Sequence, residues 1–342
     1  MTGVVLLNMG GPDSLEGVEP FLRRLFSDRA LIRLPFGRLW QGAFARLVAR
    51  RRAPRVQELY RSIGGRSPLL DLTRRQAAAL EAELGRRGHE CRCVVAMSYS
   101  EPFPPQAVAE LDAAGVRRIV GLPLYPQFSS ATTGSALAGL RRAVDARHPD
   151  LVCTTIDRFF DDAAYVDALA GTVRRALAAL PPEHQATAPV LFSAHGLPQR
   201  YVDRGDPYER EVRATVAGVV ERVGLADRHH LGFQSRVGPV RWLGPATAEV
   251  IRRLGAGGAR ALVVVPVAFV SDHLETLQEI DILYRQLARE VGITAFSRAG
   301  ALNDDPAFIA ALGGLVARHL DTGVTAPPAS APRPAPSGGK SE

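Results

Sequence analysis

Cysteine is scarce: Cys91, Cys93 and Cys153 are the three in 342 residues. That number builds neither a disulfide framework nor a four-cysteine metal site, and it fits a reducing compartment. Cys91 and Cys93 stand two apart on a strand-like stretch and are read as structural. No run of about 18 apolar residues occurs, so no segment reads as a spanning helix. The opening MTGVVLLNMGGP has no basic region ahead of an apolar core and cleavage site, so it reads as a first strand rather than a signal peptide. A G-x-G-x-x-G between strand and helix is absent, which disfavours a nicotinamide or flavin enzyme. No H-E-x-x-H argues for a thermolysin-like zinc hydrolase. Without G-x-S-x-G, Ser193 beside His195 makes no triad. Acidic residues are missing from Leu31 to Pro54, where arginines mix with leucines, Phe36, Trp40 and Phe44. That composition suits an interfacial segment, and equally an amphipathic helix packed on its own domain.

What is present is ordinary for a soluble globular protein: 46% hydrophobic, 23% charged, net charge +7. The charge suits an anionic ligand or a membrane surface, but also a plain solvated face. The length allows two domains. Apolar runs at Val4–Leu7, Glu90–Tyr99, Arg118–Pro123, Leu151–Ile156, Pro189–Phe192, Leu231–Gln234 and Ala261–Val267 alternate with helical patterns. The rhythm predicts an α/β fold with parallel sheets flanked by helices. Leu122–Gly134 is echoed by Pro266–Glu275, which predicts two similar lobes, 1–160 and 161–320, with a cleft between them. From 321 to 342 the chain is rich in Pro, Ala and Ser without periodicity and reads as a disordered tail.

Chemistry gathers at two places. His195 follows a strand and precedes Gly196. Asp272, His273, Glu275 and Glu279 follow the valine-rich run at Ala261–Val267. The carboxyl ends of parallel strands are where open α/β folds keep their ligands. A histidine with a carboxylate can move protons or hold a divalent metal. Helix capping would also explain the acidic residues without any function. Pattern alone reaches an α/β enzyme that handles a metal.

Six blocks carry the reading further: LNMGGP at Leu7–Pro12, YRSIGGRSP at Tyr60–Pro68, YPQFSSATTGS at Tyr125–Ser135, SAHGLP at Ser193–Pro198, QSRVGPVRWLGP at Gln234–Pro245 and FVSDHLETLQEID at Phe269–Asp281. In this order they resemble the ferrochelatases, and most closely the bacterial protoporphyrin-type members, over Val4 to about Leu320. The resemblance implies two Rossmann-like lobes clamping a macrocycle and insertion of Fe²⁺ into protoporphyrin IX, a lyase activity ending haem biosynthesis. Insertion into coproporphyrin III is the alternative. A cobalt or nickel chelatase and a non-catalytic tetrapyrrole binder stand further off.

By the same resemblance His195 is the active-site histidine and Glu275 faces it across the porphyrin plane. Either could meet the iron or the pyrrole protons. Met9 lies against the macrocycle, with Tyr60, Ser67, Tyr125 and Trp242 lining the pocket and Arg51 at its mouth. Asp272 and Glu279 extend from Glu275 as a relay, with His273 as helper. The expected partners are porphyrin and ferrous iron as substrates, an upstream porphyrinogen oxidase and a peripheral membrane contact, with no nucleic acid. The expected location is the cytoplasm or the inner face of the cell membrane. This chain departs from the animal enzymes at Ser98, where they carry arginine, and at Leu283, where their acidic file continues. Ser130 stands at the place of a cluster cysteine, so neither a [2Fe–2S] cluster nor any prosthetic group is expected.

Overall fold

Valines and leucines with no polar alternation make strands covered on both faces, and such strands belong to parallel sheets. In the computed structural model, which describes residues 1–28, 37–147, 150–225, 227–236, 238 and 240–322, they form two sheets. The first holds β1 (Thr2–Asn8), β2 (Cys91–Met97), β3 (Arg118–Pro123) and β4 (Val152–Thr155), in the order β2-β1-β3-β4. The second holds β5 (Val190–His195), β6 (His229–Gln234), β7 (Ala261–Pro266) and β8 (Ala295–Arg298), in the order β6-β5-β7-β8. Every strand pair is parallel. The two lobes thus repeat one topology. The echo between Leu122–Gly134 and Pro266–Glu275 falls at the third strand of each sheet and the loop leaving it.

Alternate residues of β1 serve two cores. Val5 and Leu7 pack with Val108, Leu111, Leu137 and Leu140 from the helices Pro104–Ala113 and Ser135–Arg147. Val4 and Leu6 face a larger core that runs through both lobes, including Leu80, Val173, Phe192, Val263 and Phe308. Phe308 belongs to the last helix, Pro306–Asp321, which packs on the helices Leu69–Arg86 and Ala163–Ala178. Burying a phenylalanine of this kind stabilises by about 2 kcal/mol. One continuous core joins the two lobes. Cys91 and Cys93 share β2 while Cys153 lies on β4, at the opposite edge of the first sheet, and burial pushes the Cys153 thiol up to about 11.

The structure adds elements absent from the sequence reading. Val18–Ser27 is an amphipathic helix burying Val18, Phe21, Leu22 and Phe26. β8 is a four-residue edge strand whose residues are all half-buried, so it carries no apolar run. The segment expected at 31–52 is described from residue 37, as the start of a long helix, Gly37–Arg61. Its first part and the tail at 323–342 lie outside the described residues. Among the described residues no helix is long and apolar enough to cross a membrane.

Candidate active site

β5 and β7 are neighbours, so the chain leaves both at the same end of the sheet. His195 is the last residue of β5. Glu275 opens a π-helical segment, Glu275–Tyr284, that follows β7. Long π-helical runs are rare and concentrate at functional sites. His195 Nδ1 lies 2.8 Å from Glu275 Oε2. His273 Nε2 lies 3.8 Å from the same oxygen. The Phe269 ring neighbours both histidines, its centroid 6.1 Å from His195 and 4.4 Å from His273.

Burial alone would lower the His195 imidazolium, but the Glu275 carboxylate beside it outweighs that and raises its pKa above the ordinary value. For Glu275 burial works upward, and the charges and hydrogen bonds of His195 and His273 overcome it, holding the carboxyl well below the carboxylate range. Below the raised imidazole pKa the two form an ion pair. A proton on Nδ1 donates to Glu275, which leaves Nε2 of the neutral ring as the free lone pair.

This contact corrects one expectation. A flat macrocycle between two groups needs about 7 Å, two van der Waals contacts of roughly 3.5 Å. At 2.8 Å His195 and Glu275 cannot face each other across a ring. Adjacent parallel strands deliver them side by side, on one wall.

The acidic residues behind Glu275 are already engaged. Glu279 accepts from Gln234 Nε2 (3.1 Å), the Ser235 amide (3.1 Å), Ser235 Oγ (2.6 Å) and Tyr284 OH (2.8 Å). Ser235 holds a left-handed φ of 62° to make its two bonds. That conformation costs a non-glycine residue roughly 1 kcal/mol, which the paired contacts offset. Asp272 accepts from Arg298 (2.8 Å), Thr276 Oγ1 (2.9 Å) and Asn303 Nδ2 (2.9 Å). Both carboxylates anchor the π-helical segment to its surroundings.

A family model described as Ferrochelatase matches residues 1–320. The chain belongs to the ferrochelatase family. It is 46% identical over 321 residues to a ferrochelatase of Geotalea uraniireducens, covering 94% of this chain and 98% of that one. To a ferrochelatase of Synechococcus sp. (strain JA-3-3Ab) it is 48% identical over 328 residues, covering 95% of each. Among solved structures, SirB from Bacillus subtilis with Fe³⁺ shares the fold, with a TM-score of 0.56 at 13% identity over 93% of this chain and 94% of that one. Membership makes the chain an enzyme, a chelatase of ferrochelatase type acting in porphyrin metabolism.

The remaining residues expected from the ferrochelatase blocks fall into three groups. Met9, Tyr60 and Leu274 meet in one cluster with Tyr99 and Phe21. Burial raises the Tyr60 phenol, and the Glu275 charge raises it further, which sets the hydroxyl in the field of the pair. Ser67 is buried where Gly11 passes, and a Cβ on Gly11 would stand 2.4 Å from Ser67 Oγ. Only glycine fits there. Trp242 covers Gly196, with its indole carbon 3.2 Å from where a Cβ would lie. Tyr125 packs against the core of the first lobe, and burial raises its phenol. Arg51 sits on the exposed face of the Gly37–Arg61 helix. Among the described residues no contact joins it to the His195–Glu275 pair.

Tyr208, Gln234, Ser235 and Tyr284 were not singled out as site residues, and each touches the backbone of His195 or the carboxylate of Glu279. Tyr284 lies five residues after Glu279, a spacing that matches the wider π turn and would have signalled the contact.

Proposed function

We propose that this ferrochelatase-family chain inserts Fe²⁺ into protoporphyrin IX, giving protohaem and two protons. The observation that carries the reading is the His195–Glu275 pair, 2.8 Å apart at the ends of neighbouring strands. In the neutral ring Nε2 takes a pyrrole proton while Nδ1–H stays on Glu275, whose charge stabilises the imidazolium as it forms. The ring is 39% exposed. It can pass the proton to water and repeat the transfer for the second pyrrole. The Glu275 carboxylate supplies a hard oxygen ligand to the arriving ferrous ion. Bonds balance: two N–H bonds break, the iron–nitrogen bonds form, and two protons leave.

The choice of the less charged porphyrin is supported by two large apolar side chains exposed on the helix Gly37–Arg61, Trp40 at 66% and Leu47 at 52%. Steady-state kcat/KM with Fe²⁺ under anaerobic conditions should be higher on protoporphyrin IX than on coproporphyrin III. A reversed preference would transfer the activity to the four-propionate substrate. The same preparation should lack the visible absorption of an iron–sulfur cluster, because Ser130 donates both its amide and its hydroxyl to Asp206, each at 2.8 Å. Cluster bands would overturn that.

Trp40 and Leu47 are joined on the exposed side by Arg46, Arg50 and Arg51. Apolar anchors rimmed by arginine suit the boundary of an anionic bilayer, and we read the protein as cytoplasmic with a peripheral membrane contact. Co-sedimentation with vesicles containing phosphatidylglycerol should fall when Trp40 and Leu47 are both replaced by serine. Unchanged binding by that variant would remove this helix as the docking face.

A further inference from the structure

The helix Tyr208–Val223 belongs to the second lobe, yet its first turns and the residues just before them bond to a loop of the first. Asp206 Oδ2 accepts from Ser129 Oγ (3.1 Å), the Ser130 amide and Ser130 Oγ (both 2.8 Å). Its other oxygen accepts the Tyr208 amide at 3.1 Å. Glu211, fully buried, accepts from the Phe128 amide (2.6 Å) and Arg158 Nη1 (2.7 Å). One turn on, Thr215 Oγ1 accepts from Gln127 Nε2 at 3.0 Å. Four consecutive residues, Gln127 to Ser130, are thus stitched to one helix. Tyr125 lies two residues before them.

Tyr208 completes the connection on the other side. Its hydroxyl donates to the His195 carbonyl at 3.0 Å. The next amide, Gly196, donates to the Gln234 carbonyl at 2.8 Å. His195 ends β5 in register with Gln234 of β6, and these two bonds hold the peptide on its carboxyl side. Burial raises the Tyr208 phenol, and the Glu275 charge adds to that, so the hydroxyl remains a donor at any working pH.

We propose that Tyr208 is a positioning residue for the chelation step, and that Asp206, Tyr208 and Glu211 form one bracket. The bracket sets His195 on the second lobe against the Tyr125–Ser130 loop of the first. The span of the cleft is fixed by a rigid helix rather than by the loops that line it. Proton transfer from a pyrrole to Nε2 needs heavy atoms within hydrogen-bond reach. A shift of about 1 Å can cost up to roughly a hundredfold in rate. Removing the Tyr208 hydroxyl frees the His195 peptide while leaving the ring, its carboxylate partner and the pocket chemistry in place.

The bracket rests on His195 being the working group, and the experiment separates the two. Tyr208→Phe in the full chain should lower kcat about tenfold and leave the porphyrin KM within about twofold. Asp206→Ala should reproduce that pattern. Asp206→Asn, which keeps one acceptor oxygen for Ser129 and Ser130 but sets an NH2 donor against the Tyr208 amide, should restore the rate only in part. A structural role alone would instead lower the unfolding midpoint without this split between kcat and KM. Wild-type kcat in Tyr208→Phe, or equal losses in Asp206→Ala and Asp206→Asn, would overturn the bracket. His195→Ala assayed alongside tells which idea failed: near-normal turnover there sinks the role of His195 itself, whereas an inactive His195→Ala beside a fully active Tyr208→Phe sinks only the bracket.

Discussion

His195→Ala should abolish iron insertion at saturating Fe²⁺, by about 10²- to 10⁴-fold, while porphyrin still binds. The size follows from the loss of a positioned proton acceptor. Retained binding follows from the architecture, because the surfaces expected to hold the macrocycle come from elsewhere: Met9 and Tyr60 from the first lobe, Trp242 from the loop after β6. Porphyrin fluorescence quenching measures the binding and anaerobic absorbance change measures the insertion, on the same variant. Turnover near that of the unaltered protein would mean that the pyrrole protons leave by another route. Loss of binding together with turnover would mean that the ring is a wall of the pocket rather than a proton acceptor.

Glu275→Gln should cost about a hundredfold in kcat/KM and also move its pH dependence. His195 must be neutral to accept a proton, so activity rises as pH climbs through the imidazole pKa. Glu275 raises that pKa above its ordinary value of about 6.5, and burial opposes it. With the carboxylate made neutral, burial is no longer opposed by Glu275, the pKa falls, and the acid limb of the residual activity shifts to lower pH.

Much of this was legible in the amino-acid order. Ala261–Val267 announces a strand covered on both faces, and β7 lies between two neighbours, as such a strand should. Topology was half legible: the echo of Leu122–Gly134 in Pro266–Glu275 corresponds to third strands in twin sheets, each leading to a π-helical stretch, Ser130–Gly134 and Glu275–Tyr284. Strand order itself was not legible, and it decides which residues meet. With β5 beside β7, His195 and Glu275 share one wall, 80 residues apart in sequence. Spacing within one segment cannot encode that.

The acidic residues teach the same lesson at closer range. Glu275, Glu279 and Asp272 look alike in sequence, and their partners separate them. Arg298 and Asn303, both past the segment, hold Asp272; Ser235 and Gln234, far upstream, hold Glu279. Glu275 is the one paired with His195. Ser235 shows why such clamps escape a sequence reading, since a serine gives no sign of a left-handed backbone. Nothing in the sequence marks Asp206 and Tyr208, because their partners Ser130 and His195 come from two different lobes.

The proposed chemistry turns on one charged pair, and titrating the His195 ring by proton NMR in the unaltered protein and in Glu275→Gln tests it most directly. The predicted result is a ring pKa above about 6.5 in the first and a clearly lower one in the second. The same pKa in both proteins, or one below about 6.5 in the unaltered protein, would contradict it.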